Sequence, residues 1–150
     1  MQDVAAWDLF QTRDEIVQIP ELRTFPRHIH LDGRPHPDAT HLIPSPSGHA
    51  IGRWECDALV VDTIGFSGGG RTPGGGRVTK DTHLTERFRL LDGGKKLSVT
   101  FTWEDPNIYV TPHTYEITYS RLGAEAYAFE ESCHADDPLQ SGSVVPPAQH

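Results

Sequence analysis

The stretch GHAIGRWECDALVVDTIGF, residues 48–66, decides the fold because it has the pattern of a β-hairpin. Side chains alternate between two faces on its first arm, residues 55–58 make the turn, and the return arm is apolar and β-branched. Charged side chains inside strands are costly to bury. We therefore expect Arg53, Glu55 and Asp62 to face water or to face one another in a lined cavity.

The same alternation continues on both sides of the hairpin. The first fourteen residues are predicted to form a short helix or an arm, and the proline-rich residues 35–48 a long loop. Further strands are predicted at residues 15–19, 25–31, 83–90, 97–104, 114–121 and 126–133, with the second of these at a sheet edge because of Pro26.

Seven or eight short strands without βαβ spacing predict an all-β protein. An antiparallel meander of this length must protect its edges, and closure into a barrel is the usual solution. The prediction is a lipocalin-like (calycin-type) β-barrel, with a β-sandwich as the alternative. Residues 1–134 form one domain in this interpretation, and residues 135–150 form a disordered polar tail.

Charge limits the partners. The chain has 150 residues and a net charge of -8, with 13 basic side chains against 21 acidic ones, which argues against nucleic acid and anionic membranes. No apolar run could span a membrane, and the start MQDVAAWDLF lacks a secretory signal, so a cytoplasmic protein is expected. The expected partner is a small molecule, and the protein is expected to be a monomer or a homodimer. A disulfide between Cys56 and Cys133 is an alternative to two free thiols.

Four segments carry a resemblance: DGRPHP (32–37), GHAIGRWE (48–55), LVVDTIGF (59–66) and HLTERF (83–88). The chain is similar to an uncharacterised family of small all-β bacterial proteins that carry DGRxHP, GHSIGRWEGDTLVVDTxGF and HxTERF. The resemblance covers residues 15–133 and implies a barrel-like fold without an agreed activity. This chain departs from the pattern at Cys56, where the family usually has glycine, and in the glycine-rich residues 67–77.

Two carboxylates are candidate catalytic groups. Glu86 lies between Leu84 and Phe88 on the predicted inner face, where a carboxylate suits general acid or base chemistry. Replacing Glu86 by Gln is then expected to abolish turnover and to leave the fold intact. The alternative is a structural ion pair with Arg53 or Arg87. Asp62 is predicted as a supporting carboxylate, unless Leu59 and Val61 form the core face of the strand and Asp62 faces solvent.

The chain has nine histidines, and a neutral imidazole beside a carboxylate can accept or relay a proton near neutral pH. His49 is predicted to form the proton-transfer pair with Glu86, supported by His83. His28 and His30 lie two apart on a predicted strand and could hold a metal. Three ligands cannot be placed from the sequence, so neither a metal nor another cofactor is predicted.

Candidate substrate-binding residues comprise two cations for an anionic group, one histidine, and four aromatic residues that would wall a pocket. They are Arg34, Arg53, His36, Trp54, Trp103, Tyr115 and Tyr119. As alternatives, the arginines would pair with nearby Asp32, Glu55 or Asp57, and the aromatic residues would be ordinary core.

The sequence contains no nucleophile elbow and no dinucleotide-binding fingerprint. Acid–base chemistry needs only a shaped cavity, tuned proton donors and acceptors, and a charge-stabilising group. The predicted function is a cofactor-independent cyclase, isomerase, dehydratase or lyase acting on a small, partly apolar molecule inside the barrel. The alternatives are a non-catalytic carrier or sensor barrel and a His-ligated metalloenzyme.

Overall fold

The computed structural model describes residues 6–20, 25–72 and 76–123, which form one eight-stranded sheet curled into a half-barrel. The strands neighbour one another in chain order. They are β1 (Trp7–Gln11), β2 (Glu15–Pro20), β3 (Arg27–His30), β4 (His49–Glu55), β5 (Ala58–Ile64), β6 (His83–Leu91), β7 (Lys96–Glu104) and β8 (His113–Ser120). Within these residues the only helical element is a 3-10 turn, Asp92–Gly94. The all-β, barrel-like prediction is therefore confirmed.

The predictions for the N-terminal residues and for β3 are wrong in detail. Residues 7–11 form β1, antiparallel to β2, and not a helix or an arm. β3 lies inside the sheet, antiparallel to β2 and parallel to β4, because Pro26 precedes the strand and removes no donor from it. The long loop between β3 and β4 makes their parallel pairing possible, so the prediction of a wholly antiparallel sheet is wrong at this pair. The predicted strand at 126–133 and the predicted tail at 135–150 lie outside the described residues.

The core lies on the inner face of the curled sheet. Ile29 on β3, Val61 on β5 and Val99 on β7 have almost no exposed surface, and burial of each such side chain contributes about 1.5–3 kcal/mol. Because side chains alternate along a strand, Leu59 and Val61 point into this core and Asp62 points outward. This arrangement is the alternative foreseen for Asp62.

The first and last strands meet at one end of the half-barrel. Trp7 on β1 and Tyr119 on β8 make an edge-to-face contact with ring centroids 4.9 Å apart. Beside this contact lies a cleft of about 640 Å³, whose lining includes Leu9, Leu90 and Leu97. Across the described residues, no helix combines the length and the apolar character that crossing a membrane would require.

The hairpin turn between β4 and β5 contains an unusual backbone conformation. Cys56 has a φ of 56°, in the left-handed region that favours glycine. Glycine would adopt this φ without the steric cost of a Cβ. The Cys56 side chain is an exposed free thiol.

Candidate functional site

Ionisable side chains cluster on the outer face of the sheet, near one rim. Three of them come from adjacent strands: His49 begins β4, Asp62 lies near the end of β5, and His83 begins β6. Glu104, at the end of β7, is the direct ladder partner of His83. His36 reaches the same place from the loop between β3 and β4. The sheet therefore supplies four of these groups and the loop supplies one.

These side chains form one continuous chain of contacts, which we call the relay. Oδ1 of Asp62 lies 3.2 Å from Nε2 of His36 and 2.9 Å from Nε2 of His83. Nδ1 of His36 is 2.8 Å from Nδ1 of His49, and Nδ1 of His83 is 3.3 Å from Oε2 of Glu104. The relay thus links two histidine arms through a single carboxylate.

The loop that carries His36 is fixed at its C-terminal end. The Ser45 N–H donates to the Gly65 carbonyl at 3.0 Å, and the Ser45 carbonyl accepts from the Ser67 N–H at 2.8 Å. Gly48 has a φ of 68°, and a Cβ there would lie 2.7 Å from the carbonyl oxygen of Ile64. Only glycine allows this close approach, so residue 48 helps to set the position of His49.

Two histidines in this region have altered acidity. Burial lowers the pKa of His49, and the neighbouring His36, His30 and Arg34 lower it further. Burial also lowers the pKa of His30, with Arg34 as the next contribution. The rings of His30 and His49 lie with centroids 5.3 Å apart. His49 is consequently neutral at pH 7, as a proton acceptor must be.

The two predicted anion-binding arginines are paired with carboxylates. Nε of Arg34 lies 2.9 Å from both carboxylate oxygens of Asp32, and hydrogen bonds from Arg34 lower the pKa of Asp32 to about 2. Arg53 pairs with Glu55 at 3.0 Å, four residues along the strand from His49. That spacing is about 13 Å in an extended chain. Pairing with Asp32 and Glu55 confirms the structural alternative, and only Arg34 lies near the relay.

Glu86 lies on the inner face, as alternation predicted, and is 3% exposed. It forms a two-point ion pair with Arg27, one contact being Nη1 to Oε1 at 2.9 Å and the other Nη2 to Oε2. Nη2 of Arg27 also donates to the hydroxyl of Thr63 at 2.7 Å. The expected partners, Arg53 and Arg87, are wrong, because both lie on the outer face beside Glu55.

The sheet separates Glu86 from the relay. In the ladder between β5 and β6, Val61 is opposite Glu86 and Asp62 is opposite Thr85. Opposed residues share a face and successive residues do not, so Glu86 and Asp62 lie on opposite faces. The structure therefore brings His49, Asp62 and His83 into one site and does not bring Glu86 to His49.

All four predicted aromatic residues lie on the inner face, because Trp54 is opposite the inward-pointing Leu59 and the other three alternate inward on β7 and β8. Trp103 is buried and donates its indole N–H to the hydroxyl of Tyr115 at 3.2 Å. Tyr115 and Tyr119 are half-buried, and burial raises the pKa of each phenol. Trp54, near the hairpin turn, is 55% exposed and walls no enclosed pocket. These residues therefore lie on the face of the sheet opposite the relay.

The histidines proposed for a metal do share a face. Nδ1 of His28 lies 2.8 Å from Oε1 of Glu15, and Nδ1 of His30 lies 3.8 Å from the same oxygen. In the part of the chain that the structure describes, no three His, Cys, Asp or Glu side chains are arranged to hold a metal ion.

Sequence reasoning did not find Glu104 in the relay or Arg27 as the partner of Glu86. The outward position of Glu104 could have been read from the alternation in β7, but its pairing with His83 required the strand register. Comparisons with family models, curated proteins and solved structures found no match to this chain. The resemblance to a small bacterial family therefore stays a prediction, and function is inferred from the geometry of the site.

Proposed function

We propose that the protein is a cofactor-independent enzyme that removes and returns protons on a small, partly apolar molecule. The reaction takes place at the relay on the outer face and not inside the barrel. The observation that carries this proposal is the unbroken series of side-chain contacts from His49 through His36, Asp62 and His83 to Glu104.

His83 supplies the proton donor in this mechanism. Each of its ring nitrogens faces a carboxylate, Asp62 at 2.9 Å and Glu104 at 3.3 Å. Ionised carboxylates only accept hydrogen bonds, so both contacts are satisfied when each nitrogen carries a proton. The ring is 36% exposed, which leaves room for a substrate beside it. His83 is therefore assigned as the general acid, and it donates its Nδ1 proton to a substrate that takes the place of the more exposed Glu104 carboxylate.

His49 supplies the proton acceptor. Burial and the neighbouring His36, His30 and Arg34 keep the pKa of its imidazole below the ordinary value, so the ring is neutral and available as a base. A proton donor and a proton acceptor held in one site can act on two positions of one molecule. Isomerisation, dehydration, lyase and cyclisation reactions all have this requirement, and a biosynthetic substrate fits it.

The proposal includes the finer fold and the location. A lipocalin-like barrel is supported by eight strands in sequential order and by the Trp7–Tyr119 contact between the first and the last strand. A cytoplasmic location is supported by the free thiol of Cys56, since exported proteins more often pair their cysteines.

The test uses 5-nitrobenzisoxazole, a small apolar probe that opens when a base removes its carbon-bound proton. General base catalysis contributes about 10²–10⁴-fold, so His49→Gln should lower the rate at least about tenfold. The matched control is His41→Gln, because His41 is exposed in the same loop and its ring contacts Asp38 and Thr40, which are not part of the relay. Equal rates for wild type and His49→Gln would contradict the proposal. Elemental analysis of the same preparation tests the metalloenzyme alternative.

A ligand-binding barrel is the second candidate, and the cleft of about 640 Å³ beside Trp7 and Tyr119 favours it. Cavities of about 300–1,000 Å³ commonly hold small ligands. A carrier would retain its ligand unchanged through purification, which native mass spectrometry detects, and it would give no turnover of the probe. An enzyme would open the probe repeatedly and release the product.

A further inference from the structure

His36 differs from the other histidines of the relay because its two neighbours there are a carboxylate and a second imidazole. Nε2 faces Asp62 at 3.2 Å and Nδ1 faces His49 at 2.8 Å. The side chain is 17% exposed, and it comes from the loop and not from the sheet. The only connection from the shared carboxylate to His49 within the relay therefore runs through this loop residue.

The hydrogen-bonding capacities of Asp62, His36 and His49 determine which atom donates and which accepts in each of these two contacts. The Asp62 carboxylate can only accept, so Nε2 of His36 carries a proton. Nδ1 of a neutral His36 then has a free lone pair and accepts. The partner at 2.8 Å must donate, so His49 carries its proton on Nδ1. Nε2 of His49 is left with the lone pair that a base needs.

We propose that His36 is a positioning residue that fixes the tautomer of His49, and that docking of the loop thereby completes the base. This inference rests on the proposed function in taking His49 as the base. Without His36, the ring of His49 would lose the side-chain acceptor that favours its proton on Nδ1 and would keep only the hydrogen bond to its own main chain. It would then distribute its proton between both nitrogens.

The groups around this pair come from several elements. His30 on β3 and Arg34 in the loop lie on the His49 side, and the pKa of His49 responds to both. Asp62 on β5 faces His36 and is shared with His83 on β6. Of these groups, Asp62 alone supplies negative charge directly to His36.

The experiment measures the ring-nitrogen chemical shifts of His49 by NMR on the full chain near neutral pH. The wild type is expected to show the Nδ1–H form as the dominant species. His36→Ala should shift the population towards the Nε2–H form. His36→Asn should restore the wild-type pattern, because its carboxamide oxygen can replace Nδ1 as the acceptor. His41→Ala is the control for loss of a histidine from the same loop and should leave the pattern unchanged.

Reactivity with diethylpyrocarbonate, read by mass spectrometry, gives a second measurement, since this reagent acylates a neutral ring nitrogen. His36→Ala should change the labelling rate of His49 by severalfold, and His36→Asn should not. The inference is overturned if wild-type His49 carries its proton on Nε2, or if His36→Ala behaves like His41→Ala. Neither readout needs a substrate. A correct tautomer without turnover of the probe would overturn the proposed function alone.

Discussion

The inner-face ion pair offers the sharpest test of the structure. Glu86→Gln removes the negative charge that faces the guanidinium of Arg27, and the two side chains are only 4% and 14% exposed. Removing one partner of a buried pair costs about 3–5 kcal/mol, because the other charge stays buried without compensation. Arg27 keeps its contact with Thr63 and is slightly exposed, so we expect a loss of about 3 kcal/mol, at the lower end of that range.

Urea denaturation followed by tryptophan fluorescence measures this loss, because the chain has three tryptophans. A denaturant dependence of about 2 kcal/mol per molar urea converts 3 kcal/mol into a midpoint lowered by about 1.5 M. The double variant Arg27→Met, Glu86→Leu should recover most of the stability, because well-packed apolar replacements of buried pairs are often neutral. Arg53→Gln is the matched control at an exposed pair and should cost less than about 1 kcal/mol.

A loss below about 1 kcal/mol for Glu86→Gln would refute the reasoning, and so would a double variant as unstable as the single ones. The same variant also tests the separation of the two faces. Folded Glu86→Gln protein should open the nitrobenzisoxazole probe at the wild-type rate, because the relay is on the other side of the sheet. Loss of turnover in a stably folded variant would instead support Glu86 as the catalytic group.

Three further predictions concern other parts of the molecule. Cys56→Gly should raise the free energy of unfolding by about 0.5–1 kcal/mol in the same urea assay, because it relieves a left-handed φ; a decrease would contradict this explanation. Burial acts to raise the pKa of Asp105, but hydrogen bonds from Thr79 and Thr82 hold it below the ordinary value of 3.8. The ionised Asp105 should therefore stabilise the protein fully above pH 3.8, and this stabilisation should be lost as the pH falls through the lower pKa that Asp105 has in the folded protein. Asp105→Asn should remove this pH dependence from the free energy of unfolding measured in urea. The pKa of His49 in the folded protein lies below its ordinary value of 6.5, so between these two pKa values the unfolded chain binds more protons than the folded one. The free energy of unfolding should therefore fall as the pH drops below 6.5, until the pH has passed the pKa of His49 in the folded protein. In thermal melts, the melting temperature of His49→Gln should fall less than that of the wild type as the pH drops below 6.5. The same pH dependence in both proteins would contradict the lowered pKa of His49.

The two carboxylates show where sequence reasoning succeeded and where it did not. Alternation in β6 correctly placed Glu86 inside, because that pattern is a local property of one strand. The partner of Glu86 comes from β3, fifty-nine residues away in the sequence, and no local pattern indicates it. Arg53 and Arg87 were the partners expected in the ion-pair alternative, but both lie on the other face, beside Glu55.

The sequence by itself determined the all-β class, the hairpin at residues 48–66, and the inward direction of Glu86 on β6. These features depend on period-two alternation and on turn chemistry, which act over a few residues. Only the tertiary structure decided that His36, His49, Asp62, His83 and Glu104 meet. Their contacts depend on the register of four strands and on the path of a loop. Register depends on how the apolar faces of two strands match and on the connection between them, so the sequence of one strand alone does not determine it.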